Sequence, residues 1–191
     1  MNDIEFMRDN FIAIVTHKNR VNGFKLLDKL GLLQQIIPEF EATKKMRAGN
    51  LKYHPESDIF THTIAALDYL RNDASLELIL AVLLHDIGKP TTFNNYHFRE
   101  HDKVGAEIAR DILTRLKFDS EVIESVVWLV SNHMRVRKID IMKESKQKQL
   151  IDHPLFNELH RLVMADIMIS EERVIISDMI QKQKNKLYYR R

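Results

Sequence analysis

The chain has 191 residues, of which 45% are hydrophobic and 29% are charged, so its composition is that of an ordinary globular protein and argues against disorder. There is no cysteine, which excludes disulfides and thiolate metal sites and leaves imidazole and carboxylate as the groups that could hold a metal. The net charge of +2 is lower than that of most dedicated nucleic-acid-binding proteins, although basic clusters at residues 44–52, 135–148 and 182–191 are weak indications of an anionic partner.

The first part of the sequence predicts helices followed by a polar stretch. Five glycines and four prolines are too few for the turns of a many-stranded sheet, which favours helices from the outset. The predicted features are, in chain order, a helix over Asp3–Val15, a second helix capped by Asn22 and ended by Gly31, a short apolar turn over 32–37, and a polar loop with at most a short helix over 41–57. We expect residues 1–40 to form an N-terminal helical segment that packs on one compact unit of residues 41–191.

The most hydrophobic helix of the chain is predicted near its middle. It follows a helix over Asp58–Leu70, is capped by Ser75, and reads LELILAVLL. Because it is apolar almost all round, we expect it to lie at the centre of the fold. Gly88 and Pro90 are predicted to end it, and residues 91–99 are predicted to form a loop.

The remaining sequence predicts more helices and no strand, so the predicted fold class is all-α. Helices are expected to begin at Asp102 and at Asp119–Ser120, residues 139–154 form a charged excursion, and two last helices cover about 155–170 and 173–186. The longest apolar run is too short to cross a bilayer, and the N-terminus is acidic from Asp3 onward, unlike a signal peptide. We therefore expect no membrane contact and a cytoplasmic location.

Ionisable side chains fall on the inward faces of four predicted helices, where an unpaired polar group costs free energy. His85 and Asp86 end the most hydrophobic helix, and the apolar stripes of three other helices include His62, His133 and Asp166. A single inward histidine is ordinarily a core residue bonded to a backbone carbonyl. A divalent cation, however, would neutralise the charge of two carboxylates and use the lone pairs of several imidazoles in one bundle interior. The pattern as a whole therefore predicts a metal site.

The motifs around these residues also resemble a known family. The segment LLHDIGKP carries the His-Asp doublet that marks the HD superfamily of metal-dependent phosphohydrolases, and FTHT, SNHM and MADI supply the other residues in the order of that family. The longer stretches LLDKLGLLQQIIPEF, KYHPESDIFTHT and FREHDKVGAEIA resemble the C-terminal half of bacterial tRNA nucleotidyltransferases, which are CCA-adding or poly(A)-polymerase-like enzymes. Those enzymes transfer nucleotides with an N-terminal domain that carries a Gly-Ser turn and paired aspartates. This sequence has neither motif, so nucleotide transfer is not expected.

The resemblance implies a helical HD bundle in which His62, His85, Asp86 and Asp166 are the primary ligands of one divalent ion, roughly 2.0 to 2.3 Å from it. Mixed histidine and carboxylate ligation suits Mn, Ni, Co, Fe or Mg. The implied activity is hydrolysis of a phosphoester in a nucleotide, a cyclic phosphate or an RNA end, with Asp86, Lys89 and His133 as catalytic residues. The alternative is a non-catalytic module that binds tRNA or a partner protein.

Residues around the ligand set have open roles. Lys89 either steadies the substrate phosphate or is a cation that complements a helix C-terminus. By the resemblance, His101 and His133 either bind a second metal or contact the substrate phosphate, and a protonated His133 could donate to the leaving oxygen. Because only two carboxylates are present, we favour one tightly held ion. The other histidines considered are His54, which with Asp58 either orients His62 or belongs to a turn, and His17, His97, His153 and His160, which we expect to be surface or structural residues.

Overall fold

The computed structural model describes residues 3–49, 58–94, 97–167 and 170–189, and these are arranged almost entirely as helices, which confirms the all-α prediction. The helices are α1 (Asp3–Thr16), α2 (Arg20–Lys29), α3 (Leu32–Ile36), α4 (Phe40–Thr43), α5 (Ile59–Tyr69), α6 (Leu76–Leu84), α7 (Lys89–Thr92), α8 (His101–Arg115), α9 (Ser120–Val136), α10 (Glu144–Ile151), α11 (Phe156–Asp166) and α12 (Ser170–Tyr188). Between α7 and α8 lie two short strands, β1 (Phe93–Asn94) and β2 (His97–Phe98), and between α9 and α10 a 3₁₀ turn (Ile139–Ile141). Among the described residues, no helix is long and apolar enough to cross a bilayer.

Helix α6 lies at the centre of the bundle, as its sequence predicts. Every residue from Leu78 to Leu84 is buried, and helices α1, α5, α9 and α11 pack around it. The predicted cap is also confirmed, because the Ser75 hydroxyl accepts a hydrogen bond from the Leu78 N–H at 3.2 Å. The residues that directly follow α6 are therefore surrounded by several helices at once.

The N-terminal helices differ from the prediction in two details. Helix α2 begins at Arg20, so Asn22 lies inside the helix and does not cap it. Gly31 does follow its end, in a left-handed conformation with φ of 70°. Residues 32–36 then form a helix rather than a turn, because Leu33 and Ile36, three positions apart, are both buried against the core.

The N-terminal segment and α5 share an aromatic cluster. The rings of Phe24, Phe40 and Phe60 have centroids 5.5 to 5.9 Å apart. Such a contact accounts for the packing of the first helices on the rest of the chain. The division into a segment of residues 1–40 and a unit of residues 41–191 stays a proposal.

Two other stretches contain more regular structure than predicted. Pro90 does not end α6 but lies in the first turn of α7, where a missing N–H leaves no helical hydrogen bond unmade. The predicted loop after it includes a small antiparallel pair in which Phe93 is opposite Phe98. The charged excursion after α9 likewise contains α10, whose inner face buries Gln147, Leu150 and Ile151.

The turn after α6 lies directly against the first turn of α8. A Cβ placed on Gly88 would lie 2.4 Å from the carbonyl oxygen of His101 and 2.5 Å from the backbone nitrogen of Gly105. Only a glycine permits this approach, since any side chain would overlap backbone atoms. Helix α8 begins at His101, one residue before the predicted Asp102, and the contact brings His101 next to the His-Asp doublet.

Candidate metal centre

The four predicted primary ligands converge in the interior of the bundle. His62 comes from α5, His85 and Asp86 from the turn after α6, and Asp166 from the last turn of α11. Nε2 of His62 lies 3.1 Å from Oδ1 of Asp166, 3.3 Å from Nε2 of His85 and 3.8 Å from Oδ2 of Asp86. Nε2 of His85 lies 3.4 Å from Oδ2 of Asp86 and 3.5 Å from Oδ1 of Asp166. All four side chains are buried.

These separations fit the coordination sphere of one divalent ion. Metal–ligand bonds of about 2.1 Å place neighbouring ligand atoms about 3.0 Å apart in an octahedron and about 3.4 Å apart in a tetrahedron. Five of the six distances between the four donor atoms run from 3.1 to 3.8 Å, and all four atoms lie within 4.8 Å of one another. The donor set is two imidazole nitrogens and two carboxylate oxygens, which suits the first-row divalent ions and magnesium that the sequence led us to expect.

Three of the histidines present the same ring nitrogen to the interior. The Nδ1–H of His85 donates to the Val82 carbonyl at 2.8 Å, that of His133 to Val130 at 2.7 Å, and that of His101 to the carbonyl three residues before it at 2.8 Å. Each bond assigns the proton to Nδ1 and turns the Nε2 lone pair toward the other ligands. The Nε2 lone pairs of His101 and His133 face one another at 3.3 Å and require a cation or a proton between them.

A proton takes part of this role when no ion is bound. Burial opposes a positive charge on His85, but the neighbouring carboxylates of Asp86 and Asp166 outweigh burial and raise its pKa to about 10. The carboxylates respond in the opposite direction. Burial alone would raise the pKa of Asp86, yet the charges of Lys89 and His85 hold it well below its usual range. Neighbouring side chains of the same chain thus neutralise part of the negative charge of the carboxylates.

Two permanent cations also contact the carboxylates. The Lys89 ammonium donates to Oδ2 of Asp86 at 2.6 Å and to the carbonyl of Ala48 at 2.7 Å. Lys89 is the first residue of the four-residue helix α7, and its two predicted roles stay open. Nη2 of Arg137 donates to Oδ2 of Asp166 at 3.0 Å and contributes, against burial of the carboxylate, to keeping the pKa of Asp166 low.

Sequence reasoning missed Arg137. Its position carries a detectable signal, because it follows His133 by four residues and therefore continues the inward face of the same helical pattern. It was instead counted as one member of a basic cluster. The structure separates it from that cluster, since its guanidinium lies between Asp166 and Glu172, with Nη1 at 3.3 Å from the latter.

His101 and His133 form a second group that shares Asp86 with the first. Nε2 of His101 lies 3.4 Å from Oδ1 of Asp86 and 3.3 Å from Nε2 of His133. Asp86 therefore presents one oxygen to each group. Burial and the nearby charge of His85 lower the pKa of His133 to about 4, so its ring is neutral near pH 7. Donation to a leaving oxygen requires a proton on Nε2, so that role for His133 stays a prediction.

The other predicted residues have local structural contacts. Asp58 caps α5 by accepting the Thr61 N–H at 2.8 Å, which favours the turn interpretation over an orienting role. His153 stacks on Trp128 with ring centroids 3.6 Å apart. Of the other histidines predicted to be surface or structural residues, His17 accepts a hydrogen bond from the backbone N–H of Asn19, His97 lies exposed in β2, and His160 is partly buried on α11. His54 lies outside the described residues.

Comparison with known families agrees with this arrangement. The family model of the HD domain matches residues 59–179, which is more than half of the chain and includes both groups of histidines and aspartates. The chain therefore belongs to the HD domain family.

Individual relatives are nucleotidyltransferases of bacterial origin. The chain is 33% identical over 174 residues to an A-adding tRNA nucleotidyltransferase of Deinococcus radiodurans, and 34% identical over 139 residues to a CC-adding tRNA nucleotidyltransferase of Thermus thermophilus. It is 30% identical over 161 residues to a bifunctional uridylyltransferase/uridylyl-removing enzyme of Cereibacter sphaeroides. These matches cover 85%, 68% and 74% of this chain but only 38%, 31% and 16% of the relatives, so the chain spans well under half of their length.

Proposed function

We propose that this protein is a metal-dependent phosphohydrolase, a phosphomonoesterase or phosphodiesterase that acts on a nucleotide, a cyclic phosphate or an RNA end. The observation that carries the proposal is the convergence of four buried donor atoms within 4.8 Å of one another, beside a second group that shares one carboxylate. When bound in such a site, a divalent ion polarises a phosphoryl oxygen and lowers the pKa of water. Mn, Ni, Co, Fe and Mg all remain candidates for that ion.

Some residues of the site would bind the metal ion, and others would contact the substrate. His62, His85, Asp86 and Asp166 would hold the ion, and the Nδ1–H bond of His85 to the Val82 carbonyl fixes the orientation of its ring. Lys89 pairs with Asp86 and keeps that carboxylate ionised and in place. We expect Lys89 to stay paired with Asp86 when it contacts the substrate phosphate. His101 and His133, whose Nε2 atoms carry lone pairs, would serve as ligands of a weaker second ion or as neighbours of the substrate phosphate.

The rival proposal is a module that binds tRNA or a partner protein without catalysis. The names of two relatives refer to tRNA, which keeps an RNA partner plausible for this chain. A binding module has no use for a buried set of ionisable groups that costs free energy to desolvate. The complete set favours the enzyme, and the uridylyl-removing activity in the name of another relative also fits hydrolysis. We expect no incorporation of CTP or ATP into tRNA by this chain, since it lacks the paired aspartates.

The proposal is tested with protein purified without chelator. Its metal content is measured, and phosphomonoesters, cyclic phosphates and short RNAs are then tested as substrates with each of the five metals. The matched variants are Asp86→Ala and Asp111→Ala, the second of which removes an exposed aspartate on α8. We expect turnover that disappears only in Asp86→Ala. Turnover that persists in Asp86→Ala, or wild-type protein that neither retains metal nor hydrolyses any substrate, would contradict the proposal.

A further inference from the structure

Each carboxylate of the metal centre already has a permanent cation as its partner. The Lys89 ammonium lies 2.6 Å from Oδ2 of Asp86, and its side chain is only 8% exposed. Nη2 of Arg137 lies 3.0 Å from Oδ2 of Asp166, which is 5% exposed. These two cations therefore offset the negative charge of the two carboxylates before any ion arrives.

An ion that binds among these groups leaves the site positively charged. Among the described residues, and with the histidines neutral as metal ligands, the two carboxylates, one ammonium and one guanidinium sum to zero, so one divalent ion brings the total to about two positive charges. Glu172 lies 3.3 Å from Nη1 of Arg137, but its side chain is 29% exposed and it offsets at most one of them. A buried uncompensated charge is costly, and an anionic ligand is the natural way to neutralise it.

We propose that Arg137 is a specificity-determining residue that makes the loaded site selective for a dianionic phosphoryl group, so that the substrate class is a phosphomonoester rather than a phosphodiester. The inference rests on the proposed function, because it assumes an ion on the four-ligand group. A phosphomonoester carries about −1.5 to −2 charges near neutral pH, whereas a phosphodiester has one ionisable oxygen and carries a single charge. Hydrolysis breaks one P–O bond with water and yields an alcohol and inorganic phosphate, so inorganic phosphate is both a product and a suitable probe.

Arg137 acts through charge and through its contact with Asp166, so it is a positioning residue rather than a catalytic one. If Arg137 served only to orient Asp166, its removal would weaken metal binding and anion binding together, as is usual for residues that orient metal ligands. If its charge is what matters, its removal would reduce repulsion toward the ion and weaken anion binding alone. A comparison of the affinity of the variant for the metal ion with its affinity for the anion therefore distinguishes the two roles.

The experiment compares variants by calorimetry with manganese-loaded protein at about pH 8, where inorganic phosphate is largely dianionic. Inorganic phosphate is titrated against dimethyl phosphate, which carries one charge. Arg137→Gln is expected to lose about 10-fold or more of its affinity for inorganic phosphate, because one unit charge several ångströms away is removed from a site of low effective dielectric constant. Its metal content, measured by elemental analysis, is expected to stay within about threefold of wild type.

Control variants test the sign of the effect. Arg137→Lys retains the charge and is expected to keep most of the phosphate affinity, while Glu172→Gln adds a net positive charge and is expected to increase it. Arg135→Gln is the matched control, since Arg135 lies in the last turn of α9, two residues before Arg137, and its Nη1 bonds Asn132 at 2.6 Å without reaching either carboxylate. If Arg137→Gln does not fold, the other two site variants carry the test.

The inference is overturned if dimethyl phosphate binds wild-type protein as tightly as inorganic phosphate, or if Arg137→Gln loses metal and phosphate in parallel. Weaker phosphate binding by Glu172→Gln would overturn it as well. Its failure is distinguishable from failure of the proposed function. Loaded protein that selects inorganic phosphate but hydrolyses nothing supports the inference and contradicts the hydrolase, whereas efficient hydrolysis with a preference for diesters supports the hydrolase and overturns the inference.

Discussion

Replacement of Gly88 by alanine is the sharpest test of how the fold positions the site. The backbone of Gly88 has φ of −81° and ψ of −14°, which alanine adopts freely, so any cost must come from contacts. The new Cβ would lie 2.4 Å from the carbonyl oxygen of His101, and 2.5 and 2.8 Å from the nitrogen and Cα of Gly105. All three are backbone atoms that cannot rotate away, so α8 must recede by about 1 Å to restore ordinary contact.

We expect Gly88→Ala to lower the free energy of unfolding by about 3 kcal/mol, at the upper end of the usual range for overpacking. Two other glycines provide a graded comparison. Gly31→Ala has open space but a φ of 70°, and should cost about 1 kcal/mol from backbone strain alone. Gly105→Ala meets its neighbours at 3.3 to 3.6 Å and gains helix propensity of about 0.5 to 1 kcal/mol, so its net effect should be near zero.

The assay is urea denaturation followed by circular dichroism, with metal content measured on the same samples. Because the displaced turn of α8 carries His101, Gly88→Ala should disturb the group of Asp86, His101 and His133 more than the four-ligand group. A cost below about 0.5 kcal/mol for Gly88→Ala, or a larger cost for Gly105→Ala, would refute the reasoning from contact distances.

Further predictions concern the metal ligands and one helix cap. Asp86→Ala should abolish hydrolysis with helical content retained. In the presence of a chelator it should lower the free energy of unfolding by about 3 kcal/mol, because Lys89 stays buried without the Asp86 carboxylate. Adding Lys89→Met to the same chain should restore part of that free energy. An ion at about 100 times its dissociation constant should stabilise wild type by about 2.7 kcal/mol in a thermal melt, and Asp86→Ala should show no such shift. His101→Ala should weaken binding of inorganic phosphate while metal content stays near one ion per chain, and two tightly bound ions per chain, one of them lost in this variant, would contradict this. Ser75→Ala should cost about 1 kcal/mol in urea denaturation, with no change in metal content.

The sequence by itself determined the helical class and the central position of α6, and it assigned His62, His85, Asp86, His133 and Asp166 to inward faces. The reason is local. Helical periodicity assigns each residue to a face, and a polar residue on an apolar face needs a partner inside the fold. His62 and Asp166, which stand 104 positions apart, could be assigned to one interior in this way although nothing in the sequence measures the distance between them. The choice of four of these residues as metal ligands came from the resemblance to the HD superfamily.

The tertiary structure alone decided how those residues share their charges. That Asp86 presents one oxygen to His85 and the other to His101 depends on the backbone contact of Gly88 with Gly105, which brings together helices whose spacing no periodicity specifies. The pairing of Arg137 with Asp166 likewise joins the residue that follows α9 to the last residue of α11, 29 positions further along the chain. The periodicity of the sequence indicates which side chains point inward. The partner of each buried charge, however, is set by the packing of helices against one another, because residues far apart in the chain meet only in the folded protein. This packing makes Arg137 part of the site.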